Sequence, residues 1–299
     1  MAAETGVFSY GDGSARESLW DQIKDLNATE DFVTSNASTV SVTNKVHSWV
    51  IDPIATTSSQ SGTAENTDTS YAATNPTLLT NTTQIIEKGI AVSASDQNTK
   101  HAGFSDRFAR EKVKKMMEWK QQLEFSAVAG ALVSGTGTAG RTMKGIAGFA
   151  STLTSTLASG VSLTSAMLNA YLGNAWDAGA DHDTILVPRA LKERISMFTQ
   201  NTTQQIDAKE YTSVGRIDVY QSDFGSQEVV KHRYVNNISG AVTNALVTYI
   251  KDYVSVGVMD EVHYEERAKT GYYMKGAIVG EYTMQVANEK AIGLYKLVK

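Results

Sequence analysis

The polar segment Pro53–Thr83 constrains this chain more than any other stretch of its sequence. Of its 31 residues, 17 are Ser, Thr or Asn, two are acidic, and none is Lys or Arg. Ordering a backbone costs about 1–2 kcal/mol per residue, roughly 30–60 kcal/mol here, and no apolar run is present to offset that cost. Loops of this length are usually functional or disordered. We therefore expect contacts from outside the chain to order the segment, with neighbouring copies of the same chain as the first candidates.

Length and composition are those of an ordinary globular chain. The 299 residues are 41% hydrophobic and 20% charged, and the net charge is -5, which argues against a dedicated nucleic-acid-binding protein because those are usually basic. Cysteine is absent, so disulfides, thiolate nucleophiles and cysteine-ligated zinc are excluded. The first residues lack the basic and apolar regions of a signal peptide, and no run of about 18 apolar residues occurs. These features predict synthesis in the cytoplasm and no membrane span.

Apolar periodicity predicts the elements of the N-terminal half. An amphipathic helix is predicted over Ala15–Asn27. Apolar residues alternate over Val40–Ile51 and Gln84–Ala94, so we expect these strands to pair as an extended β-hairpin around the polar segment. The strongest helix signal is Phe104–Phe125, which has one apolar side and one charged side.

The C-terminal half is predicted to mix helices with strands. A helix over Leu163–Trp176, a buried strand over Thr184–Val187 and a helix over Arg189–Phe198 come first. Two hairpins are predicted after them: Arg216–Tyr220 with Gln227–Val235, and Ala277–Val286 with Ala291–Leu297. Because the strands and helices do not alternate as βαβ units, the predicted fold class is α+β.

The glycine-rich run Gly135–Thr142 matches GxGxxG and, except for Arg141 in place of lysine, the phosphate-loop pattern. A dinucleotide fold needs an acidic residue about 20 residues later, and the first acid here is Asp177. A phosphate loop needs its lysine and a preceding strand, whereas the residues before this run continue from a helix. A glycine-rich hinge is the preferred interpretation, and a nucleotide-binding enzyme stays as an alternative.

Other chemical motifs are weak. No two of the five histidines stand at ligand spacing, and Asp181–Asp183 is interpreted as a polar turn rather than a metal site. The acidic residues of Asp260–Glu266 are interpreted as a solvated face. No serine has the context of a nucleophile elbow. We therefore expect no enzyme activity, no metal and no cofactor.

The order of a short helical arm, a polar hairpin, a long helix, a mixed domain and closing strands resembles the Hong Kong 97 fold of tailed-phage major capsid proteins. His47–Asp52 is similar to the strand that enters the extended loop in one branch of that family, the unprocessed major head proteins. Asn81–Ile86 and Ala91–Ser95 are similar to the strand that leaves it. Further similar phrases are Arg141–Ile146, Val187–Pro188 with Lys192 and Ile195–Phe198, Val219–Gly225, Val279–Met284 and Asn288–Ala291. Pro53–Thr83 is longer than the loop usual in the family.

The resemblance implies a division into parts and a function. Residues 1–38 would form an N-terminal arm, 39–100 the extended loop, 101–150 the spine helix and the start of the peripheral domain, 151–255 mainly the axial domain, and 256–299 the closing strands of the peripheral domain. The implied function is that of a major capsid protein, which assembles in the host cytoplasm through hexamers and pentamers into the icosahedral shell of the virion. A nanocompartment shell protein of the same fold is the alternative.

The resemblance also implies partners and contact residues. The partners are copies of the chain, a separate scaffolding protein, a portal, packaged double-stranded DNA bound without sequence specificity and, as an open alternative, a decoration protein. Assembly contacts are expected at Trp49, Asp52, Pro53, Asn81 and Gln84. DNA contacts are expected at Arg107, Arg110 and Lys114, and a solvated face with ion pairs to Glu111 and Glu118 is an equal alternative.

Overall fold

The computed structural model describes residues 31–54, 60, 62, 64–68, 73–101, 104–136, 138–158, 161–198, 219–238, 242–269 and 271–298. Its helices are α1 (Phe32–Asn36), α2 (Ala94–Asn98), α3 (Arg107–Ala129), α4 (Ile146–Phe149), α5 (Ser165–Asp177) and α6 (Arg189–Phe198). Its strands are β1 (Ser38–Ser41), β2 (Val46–Ile51), β3 (Thr77–Thr82), β4 (Gln84–Ser93), β5 (Thr154–Leu157), β6 (Thr184–Val187), β7 (Val219–Ser222), β8 (Gly225–Lys231), β9 (Val242–Tyr249), β10 (Val254–Glu266), β11 (Tyr273–Val286) and β12 (Ile292–Val298). The helix predicted over Ala15–Asn27 lies outside the described residues.

The strands form three sheets, which together with the helices confirm the α+β class. A four-stranded sheet has the order β1-β10-β11-β4, and a six-stranded sheet has the order β5-β12-β9-β6-β8-β7. The strands β2 and β3 form a separate two-stranded sheet. Within the described residues no helix is long and apolar enough to cross a membrane.

The helix α3 packs across β4 and β11 of the four-stranded sheet. Its first turn is capped by Asp106, whose carboxylate accepts a hydrogen bond from the backbone N–H of Ala109 at 3.0 Å. On the buried side, the indole N–H of Trp119 donates to the carbonyl of Ile86 at 2.9 Å. The same indole lies edge-on to the ring of Tyr282, with 5.1 Å between centroids. The apolar side predicted for this helix therefore faces the sheet, and the helix itself is confirmed.

The six-stranded sheet is covered on both faces. All four residues of β6 are buried, and alternate side chains belong to different cores. Leu186 joins the core that contains Trp119. Ile185 and Val187 join a second core with residues of α5 and α6. This arrangement explains why the strand reads as a continuous apolar run rather than as an alternating pattern.

The predicted pairing of the extended hairpin is wrong. The segment predicted as one strand, Val40–Ile51, contains two: β1 pairs in parallel with β10, and β2 pairs with β3. β3 lies inside the polar segment, where Thr and Leu suit a strand. β4 pairs with β11 instead, because Ile86, Ile90 and Val92 are buried in the core beneath α3. A strand with that apolar face is stable in the body and not in a projecting hairpin.

The second predicted hairpin, made of the last two strands, is also wrong. β11 and β12 are both present, but they lie in different sheets. A 3₁₀ turn, Glu289–Ala291, separates them, and the side chain of Asn288 accepts a hydrogen bond from the N–H of Lys290 at 3.0 Å. The hairpin predicted around Ser222–Gly225 is confirmed by the pairing of β7 with β8. Residues 216–218 of that prediction lie outside the described residues.

The contact between β11 and α3 generates a first prediction. A Cβ atom added at Gly280 would lie 2.8 Å from Trp119 Cζ2 and 2.8 Å from Tyr282 Cε2, so Gly280→Ala should lower the free energy of unfolding by about 1–3 kcal/mol through overpacking. Gly89→Ala is the matched control, because a Cβ there meets no atom within 4 Å. Urea unfolding of both variants tests this. Equal stabilities would contradict it.

Candidate assembly surface

The outward face of the β2–β3 hairpin carries a pair of exposed apolar residues. Val50 and Leu78 lie directly opposite each other in the register, and they are 62% and 60% exposed. Ile54, just beyond the end of β2, is 94% exposed. Because side chains alternate along a strand, every second residue of β2 faces away from the body. Val50 and Leu78 form what we name the hairpin strip, which no other described part of the chain covers.

The inward face of the hairpin is attached to the end of β11. His47 Nε2 lies 2.9 Å from the side-chain oxygen of Gln285. The indole N–H of Trp49 donates to the carbonyl of Val286 at 2.8 Å, and the Trp49 ring lies 5.8 Å from that of Phe149, centroid to centroid. The two faces of the hairpin therefore differ: one is hydrogen-bonded to the body, and the other is open.

Asn81 holds the root of the hairpin. It is 1% exposed, and its Nδ2 donates to the carbonyls of Met284 at 2.7 Å and Lys144 at 3.0 Å. Its Oδ1 accepts from the N–H groups of Lys144 at 2.8 Å and Thr82 at 2.9 Å. The amide thus uses both donors and both acceptor positions. Since Lys144 and Met284 lie 63 and 203 residues away in sequence, one side chain joins three distant segments.

Arg141, near the end of the glycine-rich run, and Met143, just after it, bind the residues at the start of β4. Arg141 donates from Nε to the carbonyl of Thr83 at 2.8 Å, and its guanidinium forms an ion pair with Glu281 of β11. The backbone N–H of Met143 donates to the side chain of Gln84 at 3.3 Å. The segment therefore acts as a second attachment for the hairpin root.

The glycine-rich run does not have the surroundings of a nucleotide site. It follows α3 rather than a strand, and an isolated bridge between Val133 and Thr142 closes it into a loop. The next helix, α4, has four residues. Arg141, which stands where a phosphate loop has lysine, is engaged by Glu281. A phosphate loop needs a strand before it and a helix after it, so the geometry supports the hinge interpretation.

The residues predicted for assembly contacts fall into two groups. Asp52 and Pro53 are exposed at the end of β2. Trp49, Asn81 and Gln84 use their polar groups within the chain. A side chain as buried as Asn81 cannot reach a neighbour. The structure therefore places the first group on the surface and shows the second group positioning the hairpin.

The basic residues predicted to contact DNA lie half-buried on α3: Arg107, Arg110 and Lys114. Two of them are ion-paired with the same carboxylate, since Glu111 lies 3.2 Å from Arg107 and 3.3 Å from Lys114. Glu118 pairs with Lys115 at 2.7 Å. The local ion pairs of the solvated-face alternative are thus present at Glu111.

The polar turn Asp181–Asp183 contains a histidine that is fully engaged. His182 Nδ1 lies 2.8 Å from the hydroxyl of Thr248, and Nε2 lies 3.0 Å from the carbonyl of Lys290. Burial lowers the pKa of His182. Among the described residues no group of three side chains is arranged to hold a metal ion.

A buried carboxylate, Glu124 of α3, holds the beginning of α1. Its oxygens accept hydrogen bonds from the N–H of Val33 at 2.8 Å, the N–H of Thr34 at 2.9 Å and the Thr34 hydroxyl at 2.7 Å. His232 Nε2 lies 2.9 Å away, and both side chains are 0% exposed. Burial by itself raises the pKa of Glu124, but the hydrogen bonds from His232, Thr34 and Val33 outweigh it and hold the pKa below its ordinary value. The carboxylate is therefore ionised, and His232 is the donor.

The sequence did not point to Glu124 or Glu281. The sequence could have indicated that Glu124 is buried, because this residue stands between Leu123 and Phe125 near the end of a helix whose last turns are apolar. No signal linked Glu281 to Arg141, since 140 residues separate them.

A family model and several solved structures match nearly the whole chain. The family model described as SU10 major capsid protein matches residues 4–299. No curated protein sequence matches. Among solved structures, the capsid of a native GTA particle is 11% identical with a TM-score of 0.68, and the match covers 99% of this chain and 100% of that one.

Two further structures show the same fold. A chain of Gordonia phage Cozz is 14% identical with a TM-score of 0.60, over 100% of this chain and 97% of that chain. The SrpI encapsulin of Synechococcus elongatus PCC 7942 is 8% identical with a TM-score of 0.62, over 94% and 92%. At these identities the structural matches establish the fold and not the function.

The hairpin root generates a second prediction. Asn81→Ala leaves the buried carbonyls of Met284 and Lys144 without their donor, and each unpaired buried group costs about 1–3 kcal/mol. The free energy of unfolding should therefore fall by at least that amount in urea titrations. Thr80→Ala, at an exposed position of the same strand, is the control and should change little. A variant at Asn81 as stable as this control would show that the root does not depend on the amide.

Proposed function

Because the chain belongs to the SU10 major capsid protein family, we propose that it is the major capsid protein of a tailed phage and closes, through hexamers and pentamers, into an icosahedral shell around double-stranded DNA. The observation that carries this proposal is the family match over residues 4–299, joined to a hairpin whose apolar strip is uncovered. Assembly would take place in the host cytoplasm, and the protein would end in the virion.

The hairpin strip is the surface we propose for contact between copies. A two-stranded hairpin is marginally stable in water, and this one gains stability on one face only. Covering Val50 and Leu78 with a neighbour removes apolar area from water, which is favourable by about 25 cal/mol per Å². Each contact is modest, but every subunit of a closed shell makes the same contacts, so they act together. Asp52 and Pro53, at the end of β2, lie beside this surface.

The division implied by the resemblance is retained as a proposal with one change. The arm comprises residues 1–38, the peripheral domain contains α3 and the closing strands, and the axial domain lies mainly within 151–255. The extended loop is narrowed from 39–100 to Val46–Thr82, because β4 pairs within the four-stranded sheet.

The remaining partners are proposals of the same kind. A separate scaffolding protein and a portal are expected because a closed shell needs direction and an entrance for DNA. A decoration protein stays as an open alternative. A nanocompartment shell is the second candidate function, favoured by the likeness to an encapsulin, and it shares the proposed contacts between copies. We place it second because the family match over the whole chain is to a phage capsid protein.

The hairpin strip generates the third prediction. Val50→Lys with Leu78→Glu leaves the net charge unchanged and puts opposite charges on directly opposed residues, a pairing that supports a hairpin. The fold should therefore survive, but an apolar contact with a neighbour is lost. Light scattering after size exclusion should show shells or capsomers for the parent and small oligomers for the variant, with equal circular dichroism.

Val219→Lys is the matched control, because Val219 is 55% exposed on β7 opposite Glu228 and should assemble like the parent. A parent chain that stays at 32.3 kDa when scaffold is supplied would refute the proposed function. A variant that assembles as readily as the parent would refute only the role of the hairpin strip.

The basic residues of α3 generate the fourth prediction. We propose that Arg107, Arg110 and Lys114 face the packaged DNA, so replacing all three with Gln should leave shell formation intact and reduce the salt dependence of DNA binding by up to about three units of slope. Glu111 partly neutralises Arg107 and Lys114, so the expected change in the salt dependence is smaller than this limit. A control triple, Arg189, Arg194 and Lys231 to Gln, removes the same charge elsewhere. If both triple variants lose the same amount of DNA affinity, only net charge matters. If the α3 variant loses no DNA affinity, the solvated-face alternative is supported.

A further inference from the structure

The attachment of α1 by Glu124 is unusual for a contact that only adds stability. Burying a carboxylate is costly, and replacing a buried ion pair by apolar residues of similar size is often neutral or stabilising. His232, the partner of Glu124, leaves its own Nδ1 buried without a hydrogen-bond partner, which native interiors rarely tolerate. An apolar contact at this place would hold α1 against α3 without the free-energy cost of burying a carboxylate. The polar pair must therefore provide something that an apolar contact does not.

The polar pair fixes the direction in which the backbone of α1 approaches α3. The two oxygens of Glu124 receive consecutive backbone N–H groups, those of Val33 and Thr34, and the hydroxyl of Thr34. Apolar packing allows rotation and sliding, whereas three hydrogen bonds to one rigid carboxylate fix how the backbone approaches. His232 holds the carboxylate in turn. The backbone N–H of His232 donates to the carbonyl of Val187 at 2.8 Å, which ties the residue to the six-stranded sheet.

The chain is fixed a second time a few residues later. β1 pairs in parallel with β10, from Ser38 opposite Ser255 to Ser41 opposite Val258. Because the chain is attached at both α1 and β1, its position and its direction at this edge of the body are both fixed. Asp31, the capping position of α1, makes no side-chain capping bond. The direction at that end of α1 therefore depends on Glu124.

We propose that Glu124 and His232 form a clamp that fixes the orientation of α1 on the body, and that shell assembly requires this clamp while folding of the body does not. This inference rests on the proposed function, since it assumes that the arm, which contains α1, takes part in contacts between copies. Both residues act as positioning residues. Glu124 lies in α3, 90 residues from Thr34.

The test uses the full chain with Glu124→Gln, which keeps the size of the side chain but turns one acceptor into a donor that faces N–H groups. Hydrogen exchange of a peptide covering residues 31–37 should become at least about tenfold faster, a change of roughly 1.4 kcal/mol in opening, while peptides from β11 keep the exchange rate of the parent. Shell formation, followed by light scattering, should stall. Glu118→Gln, an exposed carboxylate on the same helix, should match the parent in both measurements.

A second pair of variants protects the test against misfolding of Glu124→Gln. Thr34→Val removes one donor and leaves the buried pair in place, so it should show the same two effects more weakly, and Thr34→Ser, which keeps the hydroxyl, should restore parental behaviour. The clamp is overturned by exchange at residues 31–37 that stays at the parental rate, or by faster exchange with normal shells. A parent chain that forms no shells refutes the proposed function, and the exchange measurement then still decides whether the clamp exists.

Discussion

The position of the hairpin depends on hydrogen bonds made by one buried amide. β2 and β3 have no core of their own, and Trp49 of β2 provides an apolar contact with the body through Phe149. Asn81 joins the end of β3 to the backbone at Lys144 and Met284, and the ion pair of Arg141 with Glu281 lies beside it. These bonds fix the root of the hairpin, and the hydrogen bonds of His47 and Trp49 to β11 fix its inward face.

Polar groups also hold the other junctions of the molecule. Glu124 and His232 join α1 and α3 to the end of β8. His182 joins the turn before β6 to β9 through Thr248 and to the turn before β12 through Lys290. The two cores, in contrast, are apolar and lie on either side of β6. Apolar packing stabilises the fold but does not fix the orientation of its parts. Hydrogen bonds fix orientation, although each adds little net free energy of folding. The division suits a protein whose body must be firm and whose projections must point accurately.

The division between apolar cores and polar junctions explains how the fold serves the capsid function. A shell is built from repeated contacts, so an error in the angle of one projection is repeated in every copy. Fully satisfied buried polar groups rigidify their surroundings, which limits that error. Apolar area for association is left on the hairpin, where Val50 and Leu78 are exposed together, while the buried sides of α3, α5 and α6 pack on the two cores.

Strong apolar periodicity was enough to predict α3, β6, α6 and the β7–β8 hairpin close to their observed bounds, and the order of the phrases indicated the family. The pairing of strands was decided only in the tertiary structure. Gln84–Ser93 alternates as well as any hairpin strand, yet it pairs with β11, and the predicted partners Ala277–Val286 and Ala291–Leu297 separate into two sheets. Alternation shows which residues share a face, but every strand carries the same backbone donors and acceptors, so it does not show which strand lies alongside. The inward position of Asn81 and Glu124 follows from the same limit, because a polar residue is buried only where distant segments bring it partners.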